Sequence, residues 1–439
     1  MSLAKTGIAV SLLFFIVFPS IPNVFASSDS PDVSGVSGAY GTVVDSVTVT
    51  GNKRTKTFVI LREMQTQPGD VLDAKAIRRD LHYLSDLSPF AEVDFKADSI
   101  GPGRTALRIH VIERSGLFLK SILPFVKYNF ESGLEYGVRW RDKNFRGRLQ
   151  QVSLSYTRNE QQDESISLGW SSPWVGWRHI GVGGRVRYFN RGDSPRTISV
   201  LENLGLSGFV ALPLTKSRIR FSQLQGSLSF DKTRNGAIDL ATTKELTISP
   251  QIGYRFDSRD SRIKPETGQT FFAGIGQSIP IDDGRGPYYR FQNRVRLFFG
   301  VSRKSVIAMQ SNFFYQFGDF PEYSTVGMGG ARTLRGYPDD RFTGFHRWFG
   351  ALEWRYMYLP RKVFAFPVVK QVDVGLAFVA FIDGGIVWRD SSEFELDRLH
   401  GTSGCGIRLY SPLRDVLRLD FGFSANGDAR FHAGTGIRF

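Results

Sequence analysis

The chain has 439 residues, a hydrophobic content of 41%, a formal net charge of +14 and a single cysteine. That length holds two or three ordinary domains, or one small domain and one large barrel. The hydrophobic content is not that of a helical membrane protein, the lone Cys405 excludes any internal disulfide, and the basic balance raises nucleic acid or an anionic lipid surface as partners until the arginines are placed.

Residues 1–26 read as a secretory signal peptide. Lys5 precedes the apolar run Ile8 to Phe18, and Val24-Phe25-Ala26 supplies small-residue cleavage after Ala26. No later apolar segment of about twenty residues follows, so spanning helices are excluded, whereas a membrane barrel is not, because its signal per strand is weak. Residues 27–43 are rich in Ser, Gly and Val, with Pro31, and read as a flexible leader.

A compact unit is expected over 44–114. Val44 to Thr50 is a strand closed by Gly51-Asn52. Thr55 is placed to cap a short helix whose Phe58, Leu61 and Met64 recur at helical spacing, until Pro68-Gly69 breaks it. Asp73 caps a second helix with Ile77, Leu81 and Leu84 on one face. Ala91, Val93 and Phe95 then alternate with Glu92, Asp94 and Lys96. The turn Gly101-Pro102-Gly103 leads to Thr105, Leu107, Ile109 and Val111. The order strand, helix, helix, strand, strand fits a sheet with helices on one face. No catalytic constellation sits here, so the expected work is binding.

From 117 to 439 the pattern changes to segments of roughly ten residues that alternate apolar and polar. Tyr136, Val138 and Trp140 oppose Glu135, Arg139 and Arg141; Tyr289, Phe291, Val295 and Leu297 oppose Arg290, Gln292, Arg294 and Arg296; Leu417, Leu419, Phe421 and Phe423 oppose Arg418, Asp420 and Gly422. The 46 Gly, 37 Phe and 15 Tyr suit tight turns and aromatic girdles. About fifteen segments are clear and one, 236–242, is weak, close to an even number near sixteen. The expected fold is an all-β transmembrane barrel of about 16 antiparallel strands, preceded by one small α+β domain. In this phase many arginines point inward. The charge then describes a positively lined lumen rather than a nucleic-acid groove, serving either a structural network or the handling of a translocating chain.

One stretch breaks the alternation. Ala331 to Arg341 carries Arg335-Gly336-Tyr337, with Gly329-Gly330 before it and Pro338 after, which predicts a tight, shaped loop. In the next two strands, period two puts Phe349, Ala351, Glu353 and Arg355 on the inner face, then Phe381 and Asp383. A guanidinium offers five donors in a fixed fork and can bridge two carboxylates. Arg335 is thus expected to pair with Asp383 and Glu353, locking the loop inside; the alternative is that these carboxylates pair with lumen arginines such as Arg355.

Leu334-Arg335-Gly336-Tyr337 resembles the Arg-Gly-Phe/Tyr loop signature of the outer-membrane insertase and two-partner-secretion superfamily (the bacterial surface antigen family). Phe381-x-Asp383-x-Gly385 resembles its Phe-x-Asp-x-Gly strand motif, and Gly350-Ala351-Leu352-Glu353 its preceding strand. Gly406 to Leu413 and Arg418-Leu419-Asp420 are similar to its closing strands, Asp257 to Asp260 with Thr267-Gly268 to a strand-turn segment, and Phe439 to its terminal aromatic assembly signal. The unit at 44–114 is similar to one polypeptide-transport-associated (POTRA) domain. The resemblance implies a sixteen-strand barrel in the bacterial outer membrane, the POTRA domain in the periplasm, and the loop inserted into the lumen as the sixth extracellular one. It implies assembly of outer-membrane proteins or translocation of a polypeptide, without a cofactor. The implied partners are unfolded outer-membrane or secreted clients, outer-membrane lipid and accessory periplasmic proteins. A seam between first and last strands would open toward lipid, weakened at Gly434 and Gly436. Room for a single POTRA domain, where BAM-type insertases carry several and secretion transporters commonly two, points to a specialised translocase or accessory insertase.

Two other classes compete. None of His82, His110, His179, His346, His400 and His432 lies in a metal-spacing pair, and no nucleophile motif surrounds a serine, so an outer-membrane enzyme is disfavoured. A passive porin would need neither the N-terminal unit nor a loop tied to strand carboxylates.

Overall fold

The computed structural model describes residues 34–435 and 438, apart from 86, 115–119, 130–132, 161, 177, 192–198, 216–220, 238–242, 262–264, 283, 365–371, 391–392 and 412–414. The signal peptide at 1–26, the first part of the leader, Gly436 and Phe439 lie outside the described residues.

The N-terminal domain is built from β1 (Val43–Thr50), α1 (Thr57–Glu63), α2 (Ala74–Ser85), β2 (Phe90–Gly101) and β3 (Arg104–Glu113). Its sheet runs β1-β3-β2, with β3 parallel to β1 and antiparallel to β2. Ile77, Leu81 and Leu84 of α2 pack on Phe90, Phe95, Leu107 and Ile109. Asp73 caps α2, its Oδ2 accepting from the Ala76 amide at 2.8 Å.

Three expectations need correction here. The leader is not free throughout: Ser34–Ala39 forms a short 3-10 turn, and Val36 is buried in the domain core, where a side chain of that size contributes about 1.5 kcal/mol or more. Thr55 does not cap α1. Lys56 stands at the N-cap without a side-chain bond, while the Thr55 hydroxyl accepts from Asn144 Nδ2 at 2.8 Å. The buried face of α1 is Val59, Ile60 and Glu63, with Phe58 exposed, and the helix starts one residue later than a Thr55 cap requires.

Beyond the domain, sixteen strands form one antiparallel sheet in chain order. They are β4 (Lys120–Asn129), β5 (Gly133–Phe145), β6 (Gln150–Asn159), β7 (Glu164–Ser172), β8 (Gly181–Arg191) and β9 (Ser199–Pro213). β10 (Phe221–Ala237), β11 (Thr243–Asp257), β12 (Gly268–Pro280), β13 (Tyr288–Ser302) and β14 (Ser305–Gly318) follow. A two-stranded hairpin, β15 (Val326–Met328) with β16 (Phe342–Gly344), interrupts them. The last five are β17 (His346–Phe364), β18 (Val372–Trp388), β19 (His400–Ser411), β20 (Asp415–Ser424) and β21 (Ala429–Thr435). Of the weak segment 236–242, Gly236 and Ala237 extend β10, paired with Val200 and Ser199 of β9, and 238–242 lie outside the described residues.

The phase of alternation holds around the sheet. Val138, Leu168, Leu206, Ile252, Leu352, Ile382 and Phe423 point outward and are exposed, while Ser278, Gln310, Glu353, Asp383 and Asp420 are buried on the inner face. An apolar exterior over a polar interior is the pattern of a barrel in lipid. The sheet curls far enough for Arg296 of β13 to donate to the carbonyl of Arg438, beyond β21, at 3.3 Å. Among the described residues, no ladder joins β21 back to β4.

The N-terminal domain is seated on two turns at its own end of the barrel. The Lys56 amide donates to the Gly147 carbonyl at 3.0 Å, Trp174 Nε1 reaches Glu63 at 2.5 Å, and the Arg62 guanidinium lies 4.8 Å from the Trp174 ring centre. Gly147 has φ +70°, and a side chain there would collide with the Arg54 carbonyl. Replacing Gly147 with Val is expected to cost about 1–2 kcal/mol in backbone strain alone. The variant barrel should keep its folded migration on unheated gels while the N-terminal domain becomes more readily released by limited proteolysis; unchanged protease resistance would contradict the seating.

Candidate functional site

The connection from β14 to β17 is the sixth at the far end of the barrel, and it folds back into the lumen. Gly329 and Gly330, at φ +135° and +78°, turn the chain, and the Gly330 amide bonds the Tyr337 carbonyl at 2.9 Å. Thr333 Oγ1 accepts from the Gly329 amide and donates to the Gly329 carbonyl, both at 2.7 Å. Leu334, Tyr337 and Met328 bury against Phe349 of β17. The rings of Tyr337 and Phe342 meet edge to face, and Phe342 stacks on His400 at 3.6 Å. Packing and backbone bonds together fix the tip.

Arg335 is fully buried. Its Nε and Nη2 donate to the two oxygens of Asp383 at 2.9 and 2.8 Å, and its Nη1 donates to Glu353 Oε1 at 2.6 Å. Asp420 stands 3.8 Å from Nη1, and the guanidinium carbon lies 3.2 Å from the centre of the Phe381 ring. The fork engages Asp383 through two parallel bonds and still has a nitrogen left for a second acid, a geometry that an ammonium lacks. The stacked aromatic face adds a cation–π contact in a dry setting.

The loop backbone also touches the wall. The Arg335 carbonyl bonds His432 Nε2 at 2.9 Å. A side chain on Gly336 would collide with the Phe423–Ser424 backbone, and one on Gly422 with the Arg335 carbonyl. Two facing glycines thus let loop and strand approach main chain to main chain. Gly385 stands where the Met328 sulfur and the Phe349 side chain pack.

Around this core lies a second ring of charge. Arg355 Nε donates to Glu353 Oε2 at 3.0 Å, so Glu353 serves both Arg335 and a neighbour on its own strand. Arg408 donates to Asp420 at 2.6 Å and to Glu353 at 3.3 Å. Arg438 donates to Asp383 at 2.8 Å and to the carbonyl of Thr333 in the loop. Thr402 Oγ1 bonds Asp383 at 3.3 Å.

Arg335, Gly336, Tyr337, Glu353, Phe381, Asp383 and Gly385 therefore converge at one place. Gly434 is elsewhere, paired with Arg418 in the ladder between β20 and β21, and Gly436 and Phe439 lie outside the described residues. Asp420, Arg408, Arg438, Thr402 and His432 were not assigned to the site from the sequence. Strand parity turns Asp420 inward; what it lacks is how close the far strands come to the loop. Such an array holds a loop by charge and shape. It contains no paired nucleophile and base among the residues that touch Arg335.

Arg335→Ala should leave two buried carboxylates short of a partner, a loss of about 3–5 kcal/mol at the pair level, reduced to the extent that Arg355, Arg408 and Arg438 take over. Arg335→Lys should recover less than half, since it cannot span both acids. The readout is the temperature at which the barrel in detergent loses its folded band, and equal behaviour of Lys and Arg would contradict the role of the fork.

Comparison with known proteins places the chain. An Omp85 superfamily domain model matches residues 144–439, and a POTRA model, described as a surface antigen variable number repeat, matches 42–114. The chain is similar to the outer membrane protein assembly factor BamA of Nitratidesulfovibrio vulgaris, 26% identical over 428 residues, covering 89% of this chain and 50% of that protein. A putative outer membrane protein assembly factor of Treponema pallidum is 28% identical over 138 residues, 30% of this chain and 16% of that protein. The chain thus spans half the length or less of these curated relatives. Among solved structures, its fold is like that of Haemophilus ducreyi BamA lacking POTRA domains 1–3, with TM-score 0.55 and 16% identity over 89% of this chain and 83% of that one. It is also like that of CdiB from Acinetobacter baumannii, with TM-score 0.58 and 14% identity over 90% and 73%.

Proposed function

The chain belongs to the Omp85 superfamily, and from that premise we propose that it receives unfolded polypeptides in the periplasm and either assembles them into the outer membrane or passes them across it. It is an outer-membrane β-barrel with its POTRA domain on the periplasmic side. The observation that carries the reading is the buried bridge from Arg335 to Asp383 and Glu353, which ties an external loop to the inner wall of the barrel.

In this reading the POTRA domain is the receiving surface. Its sheet ends in β1 on one side and β2 on the other, and an extended client adds to such an edge through main-chain bonds, without regard to much of its sequence. The seating of the domain on the periplasmic turns delivers that client to the barrel mouth. The Arg335 loop braces β17, β18 and β20 from within, so the wall next to the terminal strands keeps its shape while β4 and β21 part. Gly434 weakens the last strand as a partner and makes this the yielding edge. Lipid and accessory periplasmic proteins are the remaining partners, and no step makes or breaks a covalent bond.

Depletion of the protein, followed by comparison of outer-membrane and secreted proteomes, tests the proposal. Specific outer-membrane or secreted clients should fall, and restoration with the Arg335→Ala chain should leave their level reduced on the order of tenfold, equal to about 1.4 kcal/mol. Both proteomes unchanged on depletion would overturn the reading.

A further inference from the structure

The bridged loop fills only one side of the barrel. On the other side, between β6 and β13, lies a cavity of about 630 Å³. Its wall is mostly small hydroxyl, amide and glycine positions, such as Ser153, Ser207, Ser227 and Gln251, with the rings of Phe209 and Phe314 among them, and three guanidinium groups project from it: Arg185, Arg187 and Arg290.

These three are served almost entirely by neutral acceptors. Arg290 Nη2 donates to the hydroxyls of Ser278 at 2.7 Å and Ser249 at 3.4 Å. Arg187 Nη2 donates to Asn203 Oδ1 at 3.1 Å, and Asp231, the one carboxylate on this wall, stands 3.7 Å away and also accepts from Ser229. Arg185, open to the lumen, has no carboxylate within ion-pair distance among the described residues. The same inner face of β13 continues with Arg294 and with Arg296, whose bonds go to the Gln310 side chain and a carbonyl. In the half held by the loop, the arginines are tied to Glu353, Asp383 and Asp420 by direct ion pairs. Lining this cavity, one acid stands against three arginines, and Glu245 on the same face of β11 is taken by Arg285 and Tyr323. Fixed positive charge on a low-dielectric wall concentrates anions in the space between.

We propose that this half of the lumen binds and conducts anionic groups, and that its macromolecular ligand is an extended polypeptide segment bearing carboxylates. This deepens the proposed function and rests on it for the identity of the ligand. The serine and glutamine side chains of the wall offer hydrogen bonds of either sense to an extended chain. The arginines add a preference for acidic over basic segments.

Planar bilayers holding the full chain test this without any client assay. Under a KCl gradient the reversal potential should show chloride favoured over potassium, more strongly at low ionic strength, where the screening length is longest. Arg185→Gln with Arg290→Gln should remove at least half of that preference while the folded band on gels is kept. Polyglutamate added on the POTRA side should block conductance and polylysine should not. A cation preference, or one unmoved by the double substitution, overturns the anion site. Chloride preference without a polyglutamate block overturns the polypeptide ligand and leaves only small inorganic anions. Failure here is separable from failure of the proposed function, because selectivity is read on the barrel alone and client handling is read in the proteomes.

Discussion

A guanidinium with no exposed surface is tolerable only where acids meet it, and the barrel is arranged around that requirement. Arg335 enters from a loop, while its acids stand on β17, β18 and, more distantly, β20. Removal of either side strands charge in a closed space, so loop and wall are stabilised or lost together. The aromatic floor of Phe381 and the facing glycines Gly336 and Gly422 set how near the loop comes, which turns a general attraction into one fitted position.

That position divides the lumen. One half is filled by the loop and cross-linked by ion pairs through Arg335, Arg408 and Arg438; the other is open, largely hydroxyl-lined and positive. The chain terminus belongs to the filled half, since Arg438 shares Asp383 with the loop tip. Asp383 is thus shared between the loop and a residue three positions beyond the last strand. At the opposite end, the POTRA domain grips the first two periplasmic turns through Asn144, Gly147 and Trp174.

Much of this could be read from residue order. Period two fixed which face of each strand meets lipid, and so placed Glu353 and Asp383 inside before any coordinates. The motif pair at Arg335 and Asp383 then gave the loop a destination. Other features had no local signal. Thr55 looks like a helix cap because its hydroxyl and position suit one, yet a residue nearly ninety positions away claims that hydroxyl. Gly236 and Ala237, the start of the weak segment, belong to the long β10, which runs past the expected turn. Val36 sits in a composition that reads as linker, and a single apolar side chain is enough to seat it. Asp420 faces inward by parity, but its convergence with Arg408 and Arg438 on the loop depends on how the sheet curls.

The most direct test of the bridge is where the loop lies in living cells. With external protease, the native barrel should resist cleavage after Arg332 and Arg341, and Asp383→Asn, which leaves side-chain size unchanged but removes the charge shared by Arg335 and Arg438, should make both sites cleavable in intact cells. Cleavage of the native loop at the same rate as the Asp383→Asn loop would contradict the account.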